Sequence, residues 1–497
     1  MARVPLAPYE PDKADLDAGI ATVARNVIPG SNCYLPARAL TPFSGTAALA
    51  GSPLGMFLAQ KSDGTFIMFA AANDGSNDRI YTYASGTWTD RSYTGGYATA
   101  EASGWRFAQY GNYVYAVSGA NNAVQVIDLT DLASGFAAVA GNGGTAPPRA
   151  KYITVINEFL VLAGLTDYPT SVMWSGIGDA NEWRVTTLGS DMQEFPDGGL
   201  VTGITGAEYG LVFQENSIRR MVFAPGSAYV FEFSRIVENS GTSAVASIAR
   251  TNSRVFWLAE DGFWMESGGS LMPIGAERVN RTFFGDIAVS GVPYVQGYAD
   301  PVTQRVYWAY PSSSQSDVTV RDKLLCYHYV LDRWSTIEQN VTYIGPVAPD
   351  DISIDDAPLA TMALEDVPYS FDSPYWQGGR PAVGGFGDDL KLGTFTGDTL
   401  EATVESALLS FNAPNRSMVK RVAPLIDTSA ARVNVATRAK TFDDDTWRTE
   451  RTPSSGTGYC HFTASGRHHR LRMRIPAGTT WTKAVGFEAE AGAEGWY

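Results

Sequence analysis

Cysteine, histidine and long apolar runs are all scarce in this chain, and each shortage excludes something. Three cysteines, Cys33, Cys326 and Cys460, are scattered through 497 residues. Odd in number and far apart, they form no disulfide framework on paper, which points to assembly in a reducing cytoplasm. The opening MARVPLAPYEPDKADLD has no apolar run behind its positive charge, so a secretory signal is not expected. The longest early uncharged stretch, Ala39 to Gln60, is interrupted by Pro42, Gly45, Gly51, Pro53 and Gly55 and does not read as a membrane span. Helical periodicity is sparse as well, and its best instance is the short stretch from Lys13 to Arg25. No G-x-S-x-G elbow and no G-x-x-x-x-G-K-[ST] phosphate loop occurs. The formal charge of −15 repels nucleic acid by default and argues against a protein whose whole surface grips DNA, while leaving room for a local basic patch.

What is abundant is strand-and-turn chemistry. Gly numbers 50 and aromatics make up 12%, a composition suited to many short strands joined by tight turns. One hairpin is written twice. Ile80-Tyr81-Thr82-Tyr83 leads through Ser85-Gly86 to Trp88, and Cys326-Tyr327-His328-Tyr329 leads through Asp332 to Trp334. Period-two alternation marks strands, and the Gly or Asp marks the reversal. Other hairpins lie between them. Val114 to Val117 faces Val124 to Ile127, Phe159 to Leu162 precedes Val172 to Trp174, and Leu211 to Phe213 precedes Ile218 to Val222. Val255 to Leu258 faces Phe263 to Met265 across Glu260-Asp261-Gly262. A recurrence of roughly 40 to 50 residues is blade spacing. The fold expected is therefore all-β: a β-propeller of about six or seven blades with an N-terminal arm and a C-terminal β-sandwich-like domain. The expected divisions are 1–50 for the arm, 51–397 for the propeller and 398–497 for a basic C-terminal domain. An acidic excursion near 338–372 leaves the last blade, in a stretch (334–379) without Lys or Arg.

The clearest charge pattern is Arg467-His468-His469-Arg470-Leu471-Arg472-Met473-Arg474-Ile475. On a strand, His469, Leu471, Met473 and Ile475 share one face, and His468, Arg470, Arg472 and Arg474 share the other. The apolar stripe packs on a core. The basic ladder has three readings: a solvated strand face, a docking surface for an acidic neighbouring subunit, or a nucleic-acid contact that lacks aromatic stacking partners. The excursion, with Asp350, Asp351, Asp355 and Asp356, is a candidate mate, because a head-to-tail ring contact can use one sign of charge on each side. Metal chemistry is not expected. Cys460-His461 with His468-His469 matches no common zinc spacing, and Asn73 to Asp78 lacks the distal Glu of an EF-hand. No cofactor or catalytic residue is assigned.

Several segments together resemble one family. Arg25-Asn26-Val27-Ile28-Pro29-Gly30-Ser31 with Tyr34-Leu35-Pro36 is similar to its opening. Met173-Trp174-Ser175-Gly176-Ile177-Gly178-Asp179-Ala180-Asn181-Glu182-Trp183 is similar to an internal segment. Asp388-Asp389-Leu390-Lys391-Leu392 with Phe395-Thr396-Gly397 is similar to its closing propeller strand. Arg421-Val422-Ala423-Pro424-Leu425 and Gly466-Arg467-His468-His469-Arg470 are similar to C-terminal segments. Their order resembles the tail nozzle or tail hub (packaged-DNA stabilisation) proteins of short-tailed bacteriophages. The resemblance implies a non-enzymatic virion component, assembled in the host bacterial cytoplasm. It implies a homo-hexamer below the portal and its head-to-tail adaptor, extending the DNA channel, helping retain the genome and anchoring fibres or spikes. Double-stranded DNA would pass without sequence-specific binding, and no small-molecule substrate is implied. The alternative is a carbohydrate-binding or carbohydrate-cleaving propeller that recognises a receptor, whose sign would be aromatics and carboxylates converging at one propeller mouth.

Overall fold

A computed structural model describes residues 1–16, 19–100, 104–227, 229–251, 253–348 and 381–494. The alternating segments pair with their chain neighbours into small antiparallel sheets. Six sheets have four strands each, and a seventh four-strand set opens a nine-stranded sheet. Blade 1 runs from Pro53–Gln60 to Thr87–Asp90, blade 2 from Arg106–Tyr110 to Ala137–Ala138, and blade 3 from Ala150–Ile156 to Asp191–Glu194. Blade 4 runs from Val201–Thr205 to Phe231–Glu238, blade 5 from Ala249–Arg250 to Ser270–Pro273, and blade 6 from Gln296–Asp300 to Arg333–Val341. Blade 7 joins Tyr343–Val347, Ala382–Phe386 and Leu392–Thr394 to Thr41–Pro42. The first strand of each blade lies innermost, and that of blade 7 packs against that of blade 1. The protein is a β-propeller of seven blades with a β-sandwich beside it.

The circle is closed by hydrogen bonding between distant parts of the chain. Thr41–Pro42 is the outermost strand of blade 7, with Gly393 opposite Pro42 and Thr394 opposite Thr41. Backbone approach here requires glycine, because a Cβ on Gly393 would lie 2.2 Å from the Thr41 carbonyl oxygen. Gly393→Ala is expected to push Thr41–Pro42 off the blade, so that limited proteolysis cuts near residue 41 in the variant and not in the parent.

The two copies of the Tyr-Tyr-Trp hairpin are the outer hairpins of blades 1 and 6, with Tyr83 opposite Trp88 and Tyr327 opposite Trp334. They differ in burial. Trp334 is buried, stacked on Tyr327 with ring centroids 4.4 Å apart and flanked by Phe263 and Trp308 at 5.5 and 5.7 Å. Trp88 is half-buried, between Tyr83 and Phe386.

Residues 1–50, expected as an arm, are woven into both units instead. Ala2–Pro5, Val27–Pro29 and Tyr34–Pro36 belong to a sheet with Ser417–Ile426, Cys460–Gly466 and Ala484–Ala493. Ala21–Arg25 is the hinge strand of the nine-stranded sheet. It pairs in parallel with blade 6 at Arg25 and Thr336, and antiparallel with Ala402–Ser406 of the sandwich. One apolar core therefore runs without a break from Trp308 and Trp334 to Val404, Leu471, Met473 and Phe487. The stretch from Lys13 to Arg25 forms no described helix. Its end is the strand Ala21–Arg25, because sheet pairing on both sides outweighs a weak helical periodicity. Among the described residues the one α-helix is Asn280–Asp286, and no helix is long and apolar enough to cross a membrane.

Candidate functional site

The basic ladder sits where the alternation places it. His469, Leu471, Met473 and Ile475 are buried in the sandwich core. The opposite face is not an unpaired row of cations, because carboxylates of the same chain meet every arginine. Arg470 Nη2 lies 2.7 Å from Asp15 Oδ2, and its Nη1 lies 3.4 Å from Asp445 Oδ2 and 4.0 Å from Glu405 Oε2. Arg472 Nε lies 2.5 Å from Glu405 Oε1, and its guanidinium sits 3.8 Å above the Trp447 ring. Arg474 bridges Glu401 at 2.8 Å and Glu450 at 2.5 Å. The hydrogen bond to Glu450 holds the Arg474 guanidinium above its usual pKa, and Arg474 in turn holds Glu450 below the usual carboxylate range. His468 Nδ1 is 2.9 Å from Ser410 Oγ, and burial lowers its pKa. The mates of the ladder are thus Asp15 and carboxylates on flanking strands and loops. The other half of the expected pairing, Asp350, Asp351, Asp355 and Asp356, lies outside the described residues. Sequence reasoning missed Asp15, Glu401, Glu405, Asp445 and Glu450 because only sheet order brings them to the ladder.

The metal candidates are occupied by local bonding. Asp74 Oδ1 accepts from the Ser76 and Asn77 amides at 2.9 and 2.8 Å, and its Oδ2 accepts from Arg79 Nε at 2.9 Å. The Asn77 amide is the main reason that its pKa falls to about 2. This is an Asx turn within a hairpin. His468 and His469 point to opposite faces, and Cys460 Sγ donates to the Arg451 carbonyl. Among the described residues no group of three or more His, Cys, Asp or Glu side chains converges on one point.

His469 Nε2 lies 2.9 Å from Ser417 Oγ, but both residues are fully buried and no substrate reaches them. Burial lowers the His469 pKa to about 4. A histidine held neutral in the fold and free to protonate when unfolded contributes stability above about pH 6.5, and that contribution drains away as the pH falls towards 4. The parent is expected to lose stability on the order of 3 kcal/mol more than His469→Gln between pH 7 and pH 4, read from urea midpoints.

Two of the concave surfaces lie at the propeller axis. Where the inner strands begin, a cleft of about 780 Å³ is walled by residues of blades 1, 2, 6 and 7 with the approach to blade 5. Below it the axis narrows to a void of about 200 Å³ among Phe57, Phe107, Tyr152 and Ile204. Phe57 and Phe107 stack with centroids 6.0 Å apart. A void of that size is too small for a DNA duplex to run along the axis.

The cleft brings together Arg106, Tyr294, Asp317, Arg321, Tyr343 and Asp388. Among the described residues Arg321 donates to backbone carbonyls, from Nε to Tyr294 at 2.7 Å and from Nη1 to Thr319 and Thr342. Desolvation lowers its pKa to about 10. Arg106 Nε is buried without a hydrogen-bond partner among the described residues. Asp317 Oδ1 accepts from the Thr319 amide and hydroxyl at 2.9 and 2.7 Å, which lowers its pKa. Asp388 Oδ2 accepts from Asn340 Nδ2 at 2.7 Å. No sequence signal marks this group, because its members come from separate blades and no fixed spacing links them.

No protein-family model matches the chain, and no curated protein sequence matches it either. Solved structures align at low identity. Kluyvelomyces marxianus Hsv2 is 8% identical, with 63% of this chain and 73% of that one covered and a TM-score of 0.31. An exo-β-1,3-galactanase from Phanerochaete chrysosporium is 12% identical over 94% and 100% of the two chains, with a TM-score of 0.28. The aldose sugar dehydrogenase of Streptomyces coelicolor is 12% identical over 57% and 96%, with a TM-score of 0.29. These likenesses are too distant to transfer any activity.

Proposed function

We propose that the chain is a structural subunit of a short-tailed phage particle: a tail nozzle whose copies close into a hexameric ring that continues the DNA channel beneath the adaptor. One observation carries the reading. The segments in which the chain resembles that family are those that join its parts. Asn26, held at φ 56°, donates from its own amide to the Thr336 carbonyl at 2.7 Å and accepts from the Glu338 amide at 2.6 Å. Its Nδ2 donates to the Glu401 carbonyl at 2.9 Å, so one side chain pins blade 6 to the sandwich. Tyr34 is buried beneath the Arg333 guanidinium, which donates to the Gly30 and Leu6 carbonyls. Asp179 accepts from Asn142 Nδ2 at 2.7 Å and ties blade 3 to the end of blade 2. Leu392–Thr394 receives the strand that closes the circle.

A rigid joint suits a subunit that must hold a wall while DNA moves past it. An acidic surface suits the same task, since it offers no phosphate-binding grip. Six of the thirteen basic residues in 398–497 form ion pairs within the chain among the described residues, and the chain as a whole carries a net charge of −15. Fibre or spike attachment, adaptor docking and genome retention follow from the same reading. Native mass spectrometry with and without the adaptor of the same phage tests it. A six-copy ring, alone or on the adaptor, is the expected species, and a chain that stays monomeric in both samples refutes the reading.

A further inference from the structure

We infer that the axial cleft is a binding site for a small carboxylated, hydroxyl-bearing molecule of the uronic-acid class, with Arg106 as its carboxylate anchor. This rests on the cleft alone and not on the nozzle reading.

At about 780 Å³ the cleft has the capacity of a small-molecule pocket, not of a packing defect. Its cationic groups are under-used. Buried polar nitrogens nearly always have a partner, and an unmatched one calls for an explanation. Arg106 Nε is such a nitrogen, a state it shares with the Nε of six other arginines, Arg470 included; what sets Arg106 apart from the ladder is that no carboxylate pairs with it among the described residues. The rest of its side chain is only half-buried and lines the cleft. Arg321 lies in the same wall, anchored by three carbonyls and paired with no carboxylate among the described residues. The ladder shows the contrast, since each of its arginines finds at least one carboxylate within 2.8 Å. The ligand-facing part of Arg106 is its Nη side, which no carboxylate claims among the described residues, and a planar guanidinium recognises a carboxylate through two parallel hydrogen bonds.

The other walls select what carries the carboxylate. Tyr294 and Tyr343 offer aromatic surface with a polar tip. Asp317 and Asp388 have each spent one carboxylate oxygen on a neighbour, and no hydrogen bond claims the second among the described residues. Those oxygens accept hydrogen bonds, which suits hydroxyl groups and repels a second anion. Arg106 as the cation not held by backbone carbonyls, flanking acceptors and tyrosine surface together fit a monocarboxylate on a polyhydroxylated ring. They fit a polyanion such as DNA poorly.

The test is calorimetric titration of the full chain with glucuronate, glucose and acetate. Glucuronate is expected to bind at least tenfold more tightly than either of the others, because only it offers both the carboxylate and the hydroxyls. Arg106→Gln is expected to weaken glucuronate by roughly ten- to a hundredfold while leaving the melting temperature in place. Arg106→Lys is expected to recover part of the loss, since it keeps the charge without the fork. Equal binding of glucuronate and glucose overturns the role of the carboxylate. Equal binding of glucuronate and acetate overturns the sugar class. Absence of binding by all three overturns the site. If Arg106→Gln fails to fold, the comparison of the three ligands on the parent still decides.

Discussion

Replacing Trp334 with alanine is expected to lower the unfolding free energy by about 3–5 kcal/mol, with the denaturant midpoint falling to match. The cost follows from what surrounds the ring. Tyr327 stacks on it, Phe263 and Trp308 flank it, and its Nε1 donates to the Ile274 carbonyl at 3.2 Å. That carbonyl directly follows the last strand of blade 5, so the indole ties blade 6 to the end of blade 5 as well as filling space. Removing it opens a cavity between rigid aromatic walls that cannot collapse, and it leaves a buried acceptor unmet. Trp88 has the same sequence spacing in the other copy of the hairpin, although it faces the second Tyr of its pair where Trp334 faces the first, and it provides the internal comparison. It is half-buried and its Nε1 has no partner among the described residues, so Trp88→Ala is expected to cost less than half as much. Equal costs at the two positions would show that hairpin geometry, and not the aromatic cluster, sets the stability.

Arg470→Glu is expected to destabilise the protein by about 3–5 kcal/mol, an effect of similar size with a different cause. Arg470 is buried between Asp15, Glu405 and Asp445. A glutamate there sets four carboxylates around one partly desolvated point, with only Arg438 and Arg472 left to offset them. Arg470→Met, which fills the volume without charge, is expected to restore part of the difference, because an apolar replacement avoids the like-charge term. Arg474→Gln serves as the contrast. Its partners Glu401 and Glu450 are partly exposed, and pairs of that kind contribute about 0–1 kcal/mol. The readout is the urea midpoint of the isolated chain, where no neighbouring subunit contributes. An unchanged midpoint for Arg470→Glu would return the ladder to a solvated strand face.

Much of this architecture was legible from one dimension. Period-two alternation with Gly and Asp reversals marks blade hairpins, because each is local and a side chain's face follows from its parity. The alternation of His469, Leu471, Met473 and Ile475 gave the buried face of the last basic strand for the same reason. What escaped was every feature made by distant pairing. Thr41–Pro42 closes blade 7 although nothing in two residues announces a partner some 350 positions away. Ala21–Arg25 carries a weak helical periodicity and becomes a strand because sheets flank it on both sides. Residues 1–50 are rich in Pro and short in alternation, the usual mark of a loose arm, yet Tyr34 and Asn26 lock them into the joint. The carboxylates that neutralise the ladder lie on other segments, so the sequence displayed the cations without their mates. The axial cleft is the extreme case, since its residues come from several blades and only the ring brings them together.

Copies of this propeller are proposed to close around a passage, while the void on each propeller's own axis, about 200 Å³ and lined by Phe57 and Phe107, is too small for a duplex. Electron microscopy of the purified assembly tests both halves in one measurement. Class averages are predicted to show a sixfold ring with an open lumen wide enough for duplex DNA between subunits, and density through the centre of each propeller. Isolated propellers, or a ring whose subunits leave no lumen, would contradict the account.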